Sequence, residues 1–384
     1  MTENVVVLGS GYAGAGAIKS LQAHLGSNTR ITWISDTDYH LVLHESHRVV
    51  RDPSVRSDIT IPVADIADPS TRFIKDTVTA LDTDEQVVEL EESDDVEYDY
   101  VLVALGSQTA YYGIPGLAEN SLTLKCLEDA LDIHDAIKTA SQDATRGEPA
   151  QVVIGGAGLS GIQTAGEIAE FRDANRAPLE IHLVEALDEI FPGNDSEIQQ
   201  ALRDLLEEAG VRIHTDDPIT EAEDGVIHFD EGDPLEYDVF VWTGGITGRE
   251  ALDGTSLDNQ HNRVTAKANF QTTDERVFAI GDSAVIDQGD QPAPPTAQAA
   301  WQAAEVVGEN IARAIDNRPL KTWEYDDKGT VVSVGDKAVA HDVKLLPFDT
   351  FGGFPAKNLK KLIAARWIAD LTSWNRARTA WPSL

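Results

Sequence analysis

Two short glycine patterns carry the first chemistry that can be read from this chain. Gly9-Ser10-Gly11-Tyr12-Ala13-Gly14 follows the apolar run Val5–Leu8, and Gly156-Ala157-Gly158-Leu159-Ser160-Gly161 follows Val152–Ile154. In a strand–turn–helix unit the first glycine makes the tight turn and the second lets the backbone approach a pyrophosphate. The third lets the helix pack close to the strand. The helix start adds unpaired N–H groups and a partial positive charge. Each unit is followed by a second strand that ends in an acid suited to ribose hydroxyls. Asp36 lies 22 residues past Gly14, and Glu185 lies 24 past Gly161. A single such pattern arises easily by chance. Two complete units 147 residues apart imply two dinucleotides in one chain, and hence electron transfer between them. A carboxylate at 185 would repel a 2′-phosphate, and no arginine adjoins it, so NADH is expected rather than NADPH.

The elements that must position these turns are parallel sheets flanked by helices. The expected fold is α/β, with two Rossmann-like dinucleotide-binding domains and a C-terminal region. The first domain is expected over 1–116 and again over 250–320, the second over 117–249, with residues 321–384 forming a membrane-docking or dimerisation region. At 384 residues and 42% hydrophobic the chain can fill two cores. Its single cysteine, Cys126, excludes an internal disulfide, fits a reducing compartment and reads as a small core residue. The opening MTENVVVLGSG runs straight into a strand, so no leader peptide is expected, and no run of eighteen apolar residues exists. Lys+Arg number 30 against Asp+Glu 66, a formal charge of −36. Such charge repels nucleic acid, and its spread along the chain leads us to expect an organism with a cytoplasm molar in salt.

Two further stretches, YDYVLVALGSQTAYYGIPG (Tyr98–Gly116) and RVFAIGDSAVID (Arg276–Asp287), resemble the later flavin-contacting segments of the two-dinucleotide, disulfide-reductase-like flavoproteins. With LTLKCLEDAL and PPTAQAAWQAAEVVGENIA, nearly the whole chain resembles type II NADH dehydrogenase, the non-pumping NADH:quinone oxidoreductase. The resemblance implies FAD on the first glycine pattern, with Ser35 or Asp36 at its ribose, Ala104, Leu105, Gly106 and Gly281 beside it, and Asp282 at the ribityl chain. It implies NADH on the second pattern, with Gly244 added. It also implies that Ala297 and Gln298 lie against the flavin ring, and that Gln298 and Gln302 line a quinone site. Two glutamines four apart share a helix face and offer a quinone neutral donors. Family members often carry glutamate where this chain has Gln163. Glutamine keeps the hydrogen bonding but carries no proton, and Glu167, one turn on, is a possible substitute. His40, His44 and Glu45 fall in a segment resembling the family's loop near the flavin, and the histidines are expected to be structural.

Sulfide:quinone oxidoreductases share this scaffold but need at least two cysteines, as do disulfide reductases, and this chain has one. A soluble reductase of a ferredoxin or rubredoxin would not need the tail, and the paired glutamines that follow GDSAV speak against a redox-sensing protein that holds FAD and NADH without turnover. From Gly353 onward six basic residues stand against one acid, with Trp367, Trp374 and Trp381 seven apart. In a single helix those tryptophans form nearly one stripe, which suits a membrane interface, but Arg366 and Asp370 intrude on the Leu359/Ile363 face, so more than one helix is expected, with a dimer contact as the alternative. The expected partners are therefore a quinone (menaquinone above others), the cytoplasmic face of the membrane and a possible second subunit. Truncation after Gly353 is expected to leave NADH oxidation by a soluble dye intact.

Overall fold

The computed structural model describes residues 3–26, 28–344 and 348–384. Val5–Leu8 is wholly buried because its strand, Glu3–Leu8, is central in a five-stranded parallel sheet. Thr29–Ser35 and then Arg72–Lys75 lie on one side of it, and Tyr100–Val103 and then Val277–Ala279 on the other. Both faces of such a sheet are covered, which is why its strands read as continuous apolar runs. Helix α1 (Tyr12–His24) leaves the central strand through the first glycine turn. A short helix α2 (His47–Arg51) follows in the same half of the chain.

The second half repeats the plan. Helix α3 (Leu127–Asp143) precedes a four-stranded parallel sheet in the order Val211–His214, Leu179–Val184, Ala150–Gly155, Val239–Trp242. Helix α4 (Leu159–Asn175) leaves the second glycine turn. The chain crosses between the sheets twice, and the two crossings pair with each other antiparallel, Gln108 opposite Thr247 and Thr109 opposite Ile246. After the return, Val277–Ala279 joins the first sheet and helix α5 (Ala297–Ile315) packs on α1.

The C-terminal region is built from an antiparallel sheet (Thr330–Val334, Lys337–His341, Thr350–Gly352), then helices α6 (Gly353–Leu371) and α7 (Trp374–Ala380). Its tryptophans do not share a face. Trp367 is 1% exposed and Trp374 64%. The physical reason is that the helix stops at Thr372, and Ser373, whose side chain accepts the Arg376 N–H, starts a new one on another axis. Several of the basic residues are also occupied, by acids of the body or by groups of the tail itself. Lys357 pairs with Asp336 at 3.3 Å, Arg376 with Asp65 at 2.7 Å, and Lys361 donates to the carbonyls of Trp381 and Pro382. Lys360 is 3% exposed, on the buried stripe Ala356–Lys360–Ala364–Trp367–Leu371.

Candidate functional site

The first glycine turn is built to hold something flat against bare backbone. A Cβ on Gly9 would stand 2.3 Å from the Ala104 carbonyl oxygen, and one on Gly14 would stand 1.9 Å from that of Gly9. A Cβ on Gly11, the residue at the start of α1, would meet nothing within 4 Å, so the turn is open there. The start has no side-chain cap and no acid in its first turn, which in so acidic a chain leaves the helix N–H groups for an anion. Ala104 is buried behind the turn, followed by Leu105 and by Gly106 with φ +72. Gly281 presses on Ala13, and Asp282 accepts the Ser107 hydroxyl at 3.1 Å. Tyr12 is buried, with its ring stacked on Trp367 at 4.6 Å between centroids and its hydroxyl bonded to His44.

The second turn repeats this geometry. Gly156 closes on Gly244, whose Cα would lie 2.6 Å from an added Cβ, and Gly161 closes on the Gly156 carbonyl oxygen. Gly158 is open, and α4, starting at Leu159 and Ser160, again has no side-chain cap and no first-turn acid. Glu185 is fixed by backbone: Oε2 accepts the Ala157 N–H at 2.8 Å and Oε1 accepts that of Leu187 at 3.1 Å. A carboxylate has further lone pairs, so this one is oriented and still able to accept from a ribose.

Internal comparison aligns the two turns. Gly9 N–H bonds Ile34 O at 2.7 Å and Gly156 N–H bonds Val184 O at 2.8 Å, so Ser35 occupies in the first turn the place of Glu185 in the second. Ser35 is buried and donates to the Ser10 hydroxyl at 2.9 Å, while Asp36, one residue on, is exposed. The first turn therefore has hydroxyls where the second has a pinned acid, and its nearest carboxylate is Asp36.

Thr296 caps α5 by accepting the Ala299 N–H, and Ala297, Gln298 and Gln302 lie in its first two turns. The two glutamines share a face, but not as free donors. The unpaired stretch Trp323–Lys328 lies along them. Gln302 bonds both backbone atoms of Asp326, and Gln298 Oε1 accepts the Lys328 N–H at 2.7 Å. Only the Gln298 amide nitrogen is loosely held, 3.4 Å from the Gly329 oxygen.

Gln163 and Glu167 point from α4 into a buried junction of α2, α4 and α6. The Gln163 amide nitrogen lies 2.8 Å from His47 Nδ1 and 3.0 Å from Nε2, and Nε2 lies 3.1 Å from Ser333 Oγ. Ser333 Oγ also accepts from Lys360 at 2.9 Å. Lys360 faces Glu45 at 3.7 Å, and Glu45 bonds Arg48. Glu167 lies 3.0 Å from Arg51 and 3.7 Å from Arg48. Burial raises the Glu167 carboxyl to about 7 against the pull of Arg51 and Arg48. Burial likewise lowers Lys360 to about 8, with Glu45 opposing. Burial resists ionisation of Glu45, yet Lys360 and Arg48 together hold it below the ordinary carboxylate range. His40 has both nitrogens in use, Nδ1 toward Ser10 O and Nε2 accepting from the Trp367 indole, and burial pushes it down to about 4. It is a structural histidine.

Sequence reasoning missed His47, Arg48 and Ser333, and read Lys360 and Trp367 only as part of a basic, tryptophan-bearing surface. For the last two a signal existed, since positions 356, 360, 364, 367 and 371 recur at helical spacing. For His47 and Ser333 no local pattern marks the partner.

Comparison with known proteins places this geometry in a family. The pyridine nucleotide-disulphide oxidoreductase family matches residues 3–304. The type II NADH:quinone oxidoreductase of Staphylococcus saprophyticus is 28% identical over 391 residues, covering 96% of each chain. The structure of NDH2 from Plasmodium falciparum in complex with NADH superposes with a TM-score of 0.84 at 15% identity, over 99% of this chain and 97% of that one. A sulfide:quinone oxidoreductase from Aquifex aeolicus superposes with a TM-score of 0.79 at 20% identity, over 97% and 92%. Fold alone does not separate these two chemistries.

Proposed function

The chain belongs to the pyridine nucleotide-disulphide oxidoreductase family, and from that premise we propose that it is a non-pumping, FAD-dependent NADH:quinone oxidoreductase. The observation that carries the reading is the pair of open, uncapped, acid-free helix starts at Gly11 and Gly158, each backed by closed glycines. Two diphosphates fit two such cradles. Sulfide chemistry is disfavoured by the lone thiol, Cys126, whose side chain is engaged in capping α3.

Gly9–Gly14 and Asp36 hold FAD in this reading, with Asp282 at its far end, and Gly156–Gly161 and Glu185 hold NADH. FAD, when bound, supplies the two-electron centre between donor and acceptor. The residues of the chain orient and exclude. Glu185, held by two backbone N–H groups and followed by Asp188 and Glu189, accepts ribose hydroxyls and repels a 2′-phosphate. The net reaction, NADH + H⁺ + quinone → NAD⁺ + quinol, takes up one proton from solvent. Glu167 and Lys360 are the buried groups with proton affinities nearest neutrality. Gln298 offers the quinone a neutral donor.

A lipid-soluble quinone, menaquinone in our reading, must be met at the bilayer. Among the described residues no helix is long and apolar enough to cross a membrane. In our reading the docking is on the cytoplasmic face; docking itself is supported by exposed Phe354 (80%), Leu362 (48%), Ile363 (39%) and Trp374 (64%) on the two tail helices. Apolar insertion would bind, since burial at ~25 cal/mol per Å² survives salt that screens the remaining free charges. Replacing Phe354, Leu362 and Trp374 together with serine should abolish flotation with liposomes and leave dye reduction intact.

The deciding experiment is an anaerobic titration of the purified protein with NADH and then a menaquinone analogue, followed in the visible. Loss of the flavin bands and their return on adding quinone is the expected result. Bleaching without return would move the acceptor to a small redox protein.

A further inference from the structure

Tyr112 holds its backbone in the left-handed region, φ +53, and Gly113 follows with φ +70. That backbone is unfavourable for a tyrosine and easy for a glycine, so what a tyrosine adds here is its side chain. The side chain fills no core. It is 68% exposed, whereas its neighbour Tyr111 packs into the second hydrophobic cluster. Its phenol donates to the Gly244 carbonyl at 3.1 Å, and its ring edge lies so close that a Cβ on Gly245 would come within 1.9 Å of the hydroxyl. Gly244 in turn closes on Gly156 in the second glycine turn.

The sheet order fixes which end of a ligand would pass this ring. Glu185 follows the strand on one side of Ala150–Gly155, and Gly244 follows the strand on the other side. A dinucleotide with its pyrophosphate at the start of α4 and its adenosine ribose on Glu185 must send its other half across Gly244, toward Tyr112.

We propose that Tyr112 is a positioning residue for the nicotinamide half of NADH, its hydroxyl pinning the Thr243–Gly245 turn and its ring forming the outer wall. This rests on the reading that the second turn holds NADH. A strained, exposed aromatic with one hydrogen bond to a ligand-side turn is the kind of feature that function, rather than folding, maintains.

The test uses the FAD-loaded full chain with Tyr112→Phe and Tyr112→Ala. NAD⁺ binding is measured by calorimetry without any acceptor, and steady-state rates with a soluble dye and with a quinone. Tyr112→Ala should raise the NAD⁺ Kd and the NADH KM about tenfold with kcat within about twofold, the signature of lost binding rather than lost chemistry. Tyr112→Phe should fall between, and melting temperature and quinone KM should not move. An unchanged NAD⁺ Kd in Tyr112→Ala, with wild type binding normally, overturns the proposal and leaves the function standing. Parallel rises in both KM values with a lower melting temperature overturn it as a folding effect. A wild type that binds neither nucleotide sinks both.

Discussion

Gln302 pairs with Asp326 as one strand residue pairs with another. Its Nε2 donates to the Asp326 carbonyl at 2.8 Å and its Oε1 accepts the Asp326 N–H at 3.0 Å. Asp326 is held at its other end as well, where hydrogen bonds from Lys328 and then Lys344 pull its carboxyl down to about 2. The stretch Trp323–Lys328 has no regular structure of its own, so Gln302 supplies the regular hydrogen bonding it lacks. Of two glutamines that look equivalent in sequence, Gln302 is held at both amide atoms by Asp326, while the Gln298 amide nitrogen is held only by a 3.4 Å contact to Gly329 O.

Gln302→Leu should therefore lower stability by about 2 kcal/mol, from two partly buried neutral hydrogen bonds, and raise the quinone KM because the wall moves. Gln298→Leu should raise the quinone KM with a smaller loss of melting temperature. Thermal melts and quinone kinetics on both variants decide it. Equal melting of Gln302→Leu and wild type would remove the clamp.

Trp367 reverses the expected effect of truncation. Its ring stacks on Tyr12 of the first glycine turn and its indole N–H bonds His40, so removing the chain after Gly353 should open that turn. Trp367→Ala should cost about 3–5 kcal/mol as a large core truncation and release FAD during gel filtration. Trp367→Phe keeps a stacking ring, leaves His40 Nε2 unpaired and should be milder. If the truncated chain retains full flavin content, the tail is not part of the cradle.

The two glycine turns were legible because their requirement is local. Tight turn, open approach and helix packing are all met within six consecutive residues, and the strands around them are apolar on both faces. The single tryptophan stripe does not hold because a seven-residue spacing has meaning only on an unbroken helix, and the Ser373 cap breaks it; the intruding Arg366 and Asp370 were the sequence sign of that break. The environment of Gln163 was illegible for another reason. His47 is 116 residues away and Ser333 lies on a third element, so only the folded chain brings them together. Composition placed the basic residues correctly on the tail but not their partners, because charge counting carries no direction.

The first glycine turn supports a divided prediction. Ser35 stands where Glu185 stands in the second turn, but its hydroxyl is bonded to Ser10, while Asp36 beside it is exposed. Asp36→Ala should raise the FAD dissociation constant about tenfold, a loss of about 1.4 kcal/mol. Ser35→Ala should change it less. Recovery of FAD fluorescence on dilution of each variant measures the constant. A larger effect at Ser35 would return the ribose to the position the second turn uses.

The buried junction predicts a pH dependence with a definite sign. Glu167 has its folded-state pKa raised from 4.5 to about 7, chiefly by burial. A raised carboxyl contributes stability that is present below 4.5 and is lost as pH rises through about 7, at most about 3 kcal/mol over that window. Lys360, lowered from 10.5 to about 8, acts oppositely: its contribution is present above 10.5 and is lost as pH falls through about 8. The charged groups facing the pair are Arg48 and Arg51 from α2, Glu45 before it, and Asp336 from the turn after Val334. Neutral buried His40 and His47, both pushed down by burial, gain stability with rising pH in part of the same range, so the effect must be read as a difference between variants. Wild type minus Glu167→Gln should fall between pH 4.5 and 7, and wild type minus Lys360→Met should rise between 8 and 10.5. Melting of the FAD-loaded protein at constant ionic strength gives both curves. A flat first difference would mean that Glu167 stays ionised beside Arg51 and Arg48 throughout, and the group able to take up a proton near neutrality would then be Lys360 alone.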